Sequence, residues 1–173
     1  IIMCGIFTVL SVSTFSSFSQ SNKIGVYASG KAETDLIVAS SMANSMNASL
    51  YTTKGYSRNV LTEKDQIETL YVVGGPDSVP DEELKQLPVK KIVRVSGKDR
   101  YQTSIAAYKL LEGKTKEGKR VNIVSGIKLE DSVSASTSGV PTILLDIRSK
   151  DNIKDVSNLL AGKELVVVGG PMS

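Results

Sequence analysis

The chain has 173 residues, of which 40% are hydrophobic and 5% aromatic, and it carries 21 lysines and arginines against 18 acidic residues. This composition excludes disordered and collagen-like chains, and the length allows one ordinary domain or two small ones. Histidine and tryptophan are absent and Cys4 is the only cysteine. Ser-His-Asp and Cys-His catalytic groups, the usual histidine metal sites and an intrachain disulfide are therefore excluded.

The first nineteen residues differ from the rest of the sequence, because every charged side chain lies at Lys23 or beyond. The apolar run at 1–12 is too short for a membrane span and fits the hydrophobic region of a secretory signal, followed by a small-x-small cleavage site at 17–19. We expect a signal-peptide remnant at 1–19 and no membrane contact once it is removed. A buried first strand or helix, and a lipoprotein site at Cys4, are the alternatives.

Apolar, β-branched runs recur along the chain and predict strands. They lie at 24–28, 48–52, 70–73, 91–95, 121–125, 142–145 and 164–168. Their apolarity is continuous rather than alternating, which is typical of parallel strands covered on both faces. The sequence therefore predicts an α/β fold in which a Rossmann-like parallel sheet has helices on both faces.

Helices are predicted between these strands. The stretch 101–111 places Tyr101, Ile105, Tyr108 and Leu111 on one stripe of a helix. Helix starts are predicted at Thr62-x-x-Asp65 and at Ser78-x-x-Asp81, with Pro80 in the first turn, because side-chain oxygens there can accept from free backbone N–H groups.

The sequence also contains an internal repeat. The first pattern is a predicted strand, then Ser-Gly, then an acidic residue five positions after the glycine; it occurs at 24–35 and again at 121–131. The second pattern is a predicted strand followed by Gly-Gly-Pro; it occurs at 70–76 and again at 166–171. The matching glycines lie 96 residues apart in the first pair and 95 apart in the second. Two landmarks at a nearly constant offset predict a tandem repeat of one structural module.

Three Ser-Gly pairs follow predicted strands, at 29–30, 96–97 and 125–126. Such loops lie at the carboxyl edge of a parallel sheet, where backbone N–H groups and helix N-termini favour anions. The alternative is that small residues only allow tight turns between a strand and a helix. Asp35 and Asp131 are near helix starts, where each could cap the helix or contact a ligand.

Charge is distributed unevenly. Residues 62–83 contain seven acids and one lysine, whereas residues 90–120 contain ten bases and three acids. The second region predicts a basic face able to attract a polyanion, although a charge run can also be simply a solvated face. Stacking aromatics are scarce, which disfavours nucleic acid as the partner.

One ordered set of motifs carries a family resemblance. The string Arg94-Val-Ser-Gly-Lys-Asp-Arg-Tyr-Gln-Thr-Ser104 is followed by Ser125-Gly126, by 129–135, by Val-Pro-Thr-Ile-Leu-Leu at 140–145 and by Val-Gly-Gly-Pro at 168–171. This set resembles the cell wall binding repeat 2 family of Gram-positive bacteria, best known in clostridial surface proteins. Residues 92–173 resemble one such module, which we expect to be truncated at its C-terminus, and 23–91 resemble a diverged preceding module.

The resemblance implies a non-catalytic module that attaches a secreted protein non-covalently to an anionic, teichoic-acid-like wall polymer at the cell surface. Members of the family usually carry a second region with the distinctive activity. The resemblance also implies contacts with other such modules, usually three in pseudo-threefold packing, and no cofactor. Together with the basic loops it points to one set of anion-facing residues: Arg94, Ser96, Gly97, Lys98, Arg100, Ser125, Gly126 and Asp131. Arg94 and Arg100 could instead form structural ion pairs with Asp99 or Asp131.

Two other functions remain open at this point. One is an enzyme of phosphate or nucleotide chemistry on the same sheet, with Asp35 or Asp131 holding Mg²⁺. The other is a self-assembling surface-layer component whose modules contact only each other.

Overall fold

A computed structural model describes residues 23–53, 61–62, 65–115, 119–127 and 129–169, apart from the side chain of Asp131. The predicted signal remnant at 1–19 lies outside the described residues. The strands are β1 (Ile24–Ala28), β2 (Ser49–Thr52), β3 (Thr69–Val73), β4 (Lys91–Val95), β5 (Arg120–Ser125), β6 (Thr142–Leu145) and β7 (Glu164–Val168). The helices are α1 (Glu33–Met46), α2 (Asp81–Leu84), α3 (Arg100–Leu111), α4 (Glu130–Ser136) and α5 (Lys150–Leu159).

The strands form two parallel sheets. Sheet A has the order β2-β1-β3-β4 and sheet B has the order β6-β5-β7. All five strand pairs are parallel. The predicted α/β class with parallel, helix-flanked sheets is therefore confirmed.

In each sheet, the strand that comes first in the chain lies between the second and the third: β1 lies between β2 and β3, and β5 lies between β6 and β7. This shared order is what a duplicated module would produce, and the tandem repeat stays a prediction. Strand β4 pairs with β3 along Thr69–Val73, although the predicted module boundary assigns most of β4 to the second module.

One apolar core joins the two sheets. Helix α1 supplies Ile37, Val38 and Met42 to it, and sheet B supplies Val124 and Leu144. Two hydroxyls fix the open edge of β6 to this core: Ser41 Oγ accepts from Thr142 N at 3.0 Å, and Ser104 Oγ accepts from Leu144 N at 3.0 Å. The edge N–H groups that an outer strand leaves unpaired are thereby satisfied inside the protein.

Short helical turns occur at both predicted helix starts. Asp65 lies in a short 3₁₀-helical turn, and its Oδ2 accepts from the backbone N of Thr62 at 2.7 Å and from the Thr62 hydroxyl at 2.8 Å, as in a capping box. Helix α2 does begin at Asp81, but Pro80 occupies the capping position and no side chain caps it. Both predicted starts therefore coincide with short helical turns, and the second lacks the predicted side-chain cap.

Candidate functional site

The loop at 96–99 connects β4 to α3 and folds back on the first turn of that helix. The backbone N of Gly97 donates to Thr103 Oγ1 at 3.0 Å, and Asp99 Oδ1 accepts from the backbone N of Gln102 at 2.8 Å. Asp99 therefore caps α3. A Cβ at Gly97 would lie 2.4 Å from Gln102 Cβ, so only glycine fits this close approach. Ser96 and Lys98 are exposed on either side of it.

The loop after β5 contacts the loop after β4. Arg100 Nη1 donates to the carbonyl oxygen of Gly126 at 3.2 Å. The ring of Tyr101 covers Gly126 so closely that a Cβ there would lie 2.3 Å from it. Ser125 Oγ accepts from the backbone N of Ile127 at 3.2 Å, which fixes the turn. The structure thus brings together the two Ser-Gly loops that the sequence analysis grouped.

Arg94 is bound by protein groups of the segment that comes after β3. Its guanidinium donates to the carbonyl oxygens of Gly74 at 2.8 Å and Val79 at 2.9 Å, and pairs with Asp81 at 2.6 Å. The structural ion pair considered for Arg94 exists, but its partner is Asp81 rather than Asp99 or Asp131. Since these contacts occupy both terminal nitrogens, we leave Arg94 out of the proposed binding set.

The two acidic candidates lie near helix starts, as expected. Asp131 is the second residue of α4, and its side chain is outside the described structure. Asp35 is the third residue of α1 and is 8% exposed, with its carboxylate against Gly74. An acidic residue in the first turn interacts favourably with the helix dipole. Over the described ranges, no group of three or more acidic or cysteine side chains is arranged to hold a metal ion.

A cleft of about 440 Å³ opens beside the loop at 96–99, between α3 and α5. We call it the α3–α5 cleft. Its lining residues are Ser96, Gly97, Lys98, Gln102, Ile105, Ala106, Lys109 and Asp155. Three of the predicted site residues are therefore in one cleft, and Arg100 and Gly126 lie on the other side of the α3 N-terminus.

The charges in this cleft are unbalanced. Asp155 accepts from Gln102 Nε2 at 3.0 Å, whereas Lys98 and Lys109 make no ion pair in the described part of the chain. Two lysines against one carboxylate give the cleft a local positive charge, which favours an anionic ligand. The sequence analysis missed Lys109. The sequence could have indicated it, because Gln102, Ala106 and Lys109 are spaced so that they lie on one face of a helix.

Comparison with known proteins finds solved structures with a similar fold. The chain is similar to the solved structure of Cwp8 from Clostridium difficile, with a TM-score of 0.59 and 27% identity over 86% of this chain and 27% of that chain. It is also similar to Cwp6 from the same organism, with a TM-score of 0.66 and 20% identity over 84% of this chain and 25% of that chain. At 20% identity the second match shows the fold alone.

The chain spans about a quarter of the length of either structure. No protein-family profile and no curated protein sequence matches it. Membership of the cell wall binding repeat 2 family therefore stays a prediction. Among the helices that the structure describes, none combines the length and apolarity that a membrane span requires. The likeness to Cwp8, a cell wall protein, supports a cell-wall-related role for this chain.

Proposed function

We propose that this chain is a non-catalytic binding module that holds a secreted surface protein to the cell wall through an anionic, teichoic-acid-like polymer. The observation that carries the proposal is the α3–α5 cleft, in which Lys98 and Lys109 face one opening without ion-pair partners in the described structure. The likeness to cell wall proteins of C. difficile supports the setting at the cell surface.

The chemistry of the cleft suits a phosphate group of such a polymer. The two ammonium groups supply charge-assisted hydrogen bonds, and the Ser96 hydroxyl at the mouth supplies a neutral donor. Arg100, exposed beside the carbonyl oxygen of Gly126, extends the positive potential toward Ser125. Each contact is weak alone, but a polymer that repeats the same group binds several modules at once and gains avidity.

The proposal includes the division into two modules, 23–91 and 92–173, and contacts with further modules of the same kind. The shared strand order of the two sheets supports it. Because β4 completes sheet A, the modules would be linked by an exchanged strand rather than by a flexible linker.

A second candidate is a self-assembling surface-layer component. Leu165 and Val167 on β7 favour it, because they are exposed large apolar side chains on an outer strand. Light scattering tests this candidate: a monomer that still binds wall material would exclude assembly as the main role.

Sedimentation with purified Gram-positive wall tests the leading proposal. We expect the chain to sediment with untreated wall and to stay in solution with wall from which the teichoic polymers have been extracted. Equal retention on both preparations would refute it. Moderate salt should release the bound protein, since exposed charge contacts weaken as the Debye length falls, and retention at about 1 M NaCl would indicate neutral hydrogen bonds instead.

A further inference from the structure

A second and larger cavity belongs to sheet A and has no role in the function proposed above. Its volume is about 700 Å³, which is within the range of small-molecule sites. We call it the carboxyl-edge cavity. Its described lining includes Ser29 after β1, Thr53 after β2, and Asp77, Glu83 and Leu87 from the segment after β3.

The cavity lies at the position in the fold where open parallel sheets bind ligands. Strand β1 has β2 on one side and β3 on the other, so the chain leaves the ends of β1 and β3 in opposite directions. Ser29 follows β1, Thr53 follows β2, and Asp77 and Ser78 are in the loop after β3. The crevice outside the carboxyl ends at such a switch point is the usual ligand site of this class of sheet.

The walls on the β1 and β2 side are fixed by hydrogen bonds. The backbone N of Gly30 donates to Thr53 Oγ1 at 3.1 Å, and the backbone N of Lys31 donates to Ser29 Oγ at 3.3 Å. On the opposite wall, the Tyr27 hydroxyl donates to Glu83 Oε1. A ligand would therefore meet a formed surface and would not have to order these groups, which lowers the cost of binding.

Other polar groups of the cavity are not engaged by the protein. The side chains of Asp77, Ser78 and Gln86 make no hydrogen bond within the described residues. They offer a carboxylate acceptor, a hydroxyl that donates and accepts, and an amide that does both. Helix α1 begins at the same cavity without a side-chain cap, so backbone N–H groups of its first turn add donors.

Charge decides which class of ligand fits. Asp77 and Glu83 outnumber Lys31 among the lining residues. This balance opposes a phosphate or carboxylate ligand, in contrast to the α3–α5 cleft. A lining that mixes donors and acceptors with the apolar patches of Leu87 and Pro88 matches a ring that carries hydroxyls on its rim and C–H groups on its faces.

We infer that the carboxyl-edge cavity binds an uncharged, hydroxyl-rich ligand of the size of one or two sugar rings. The inference rests on the position of the cavity at the sheet edge, on the charge of its lining, and on its polar side chains that make no hydrogen bond within the described residues. This site is separate from the α3–α5 cleft, so either can fail without the other.

Amide chemical shifts of the full chain, titrated with methyl glucoside, N-acetylglucosamine and glucose 6-phosphate, test the inference. We expect at least one neutral sugar to shift the amides of Ser29, Thr53 and Ser78 saturably, and glucose 6-phosphate to shift them less. Asp77→Asn should lower the affinity for that sugar about tenfold, because this is the change in affinity expected from the loss of one charge-assisted hydrogen bond.

One matched control variant separates the cavity from general charge. Glu82→Gln removes the same charge from an exposed residue outside the lining and should leave sugar affinity unchanged. Unperturbed amides with every sugar would overturn the inference, and so would stronger binding of glucose 6-phosphate, which would make the cavity an anion site. If Glu82→Gln lost sugar binding as Asp77→Asn does, the effect would come from the net charge of the protein, and this result would also overturn the inference.

Discussion

Strands β3 and β7 occupy the same position beside the central strands of their sheets, yet one is covered and the other is open. Leu70 and Val72 on β3 are 0% exposed, whereas Leu165 and Val167, each 95 positions later, are 50% and 77% exposed. Both pairs sit beside central strands, since Val72 is in register with Tyr27 and Val167 with Ile123. The difference therefore arises outside the strands.

The cover over β3 is the segment 76–90, which we call the covering segment. Its apolar residues Val79, Leu84, Leu87 and Val89 pack on Leu70 and Val72, and the chain then enters β4 at the edge of the sheet. The described structure has no such segment over β7. Within the described residues, β3 and β7 therefore differ in energetic role because the covering segment packs on β3.

The largest expected effect comes from truncating the matched leucines. Leu70→Ala should lower the free energy of unfolding by about 2–5 kcal/mol, because it removes a fully buried side chain and leaves a cavity. Leu165→Ala should change it by about 0.5 kcal/mol, as for other surface positions. Urea unfolding followed by circular dichroism measures both, and equal losses would mean that β7 is covered in solution.

The clamp on the covering segment should have the next effect. Arg94 bonds the carbonyl oxygens of Gly74 and Val79 at the start of that segment, so Arg94→Ala should cost about 1–3 kcal/mol of unfolding free energy. Arg100 is exposed and bonds one carbonyl, so Arg100→Ala is the matched control and should cost less. Urea unfolding measures both variants. An unchanged free energy of unfolding in Arg94→Ala would show that Arg94 does not clamp the segment.

The hydrogen bond that fixes the outer strand β6 to the core gives the next test. The fully buried Ser104 hydroxyl accepts from Leu144 N on β6, and Ser104→Ala would leave that N–H unsatisfied at a cost of about 1–3 kcal/mol. Ser134→Ala, an exposed serine on α4, should be neutral. Amide exchange at Leu144 should accelerate in the first variant, and unchanged exchange would show that water replaces the hydroxyl.

Alkaline pH should destabilise the covered sheet through Tyr27. Burial, with the hydrogen bond to Glu83 and its negative charge, raises the pKa of Tyr27 above the ordinary value of 10.0. The folded state therefore keeps a proton that the unfolded state releases, so stability present below pH 10.0 falls as the pH rises further. Tyr27→Phe should flatten this loss in thermal scans between neutral and alkaline pH. An unchanged slope would contradict the assignment to Tyr27.

Most of the fold could be predicted because each strand has a continuous apolar run, even β7, where Leu165 and Val167 are exposed. All seven strands lie within one residue of their predicted bounds. Which sheet each strand joins was harder, since the repeat boundary near residue 91 gives no sign that β4 pairs backward with β3. Pairing partners depend on the path of the covering segment, which local patterns do not record.

The site was predicted in part. Ser96, Gly97 and Lys98 share a cleft, and Arg100 reaches Gly126, because the Ser-Gly loops mark strand ends. The contacts of Arg94 escaped prediction since two of its three acceptors are backbone carbonyls, which have no sequence signature. The carboxyl-edge cavity escaped it because its walls come from three separate segments.

The central claim is that Lys98 and Lys109 hold the wall polymer. Equilibrium binding of fluorescently labelled chain to purified wall tests it in the double variant Lys98→Gln/Lys109→Gln, with Lys85→Gln/Lys114→Gln as a control of equal charge loss outside the cleft. We predict that the cleft variant binds about tenfold more weakly or worse, while the control stays near the unaltered chain. Equal weakening in both variants, or none in the cleft variant, would contradict the account.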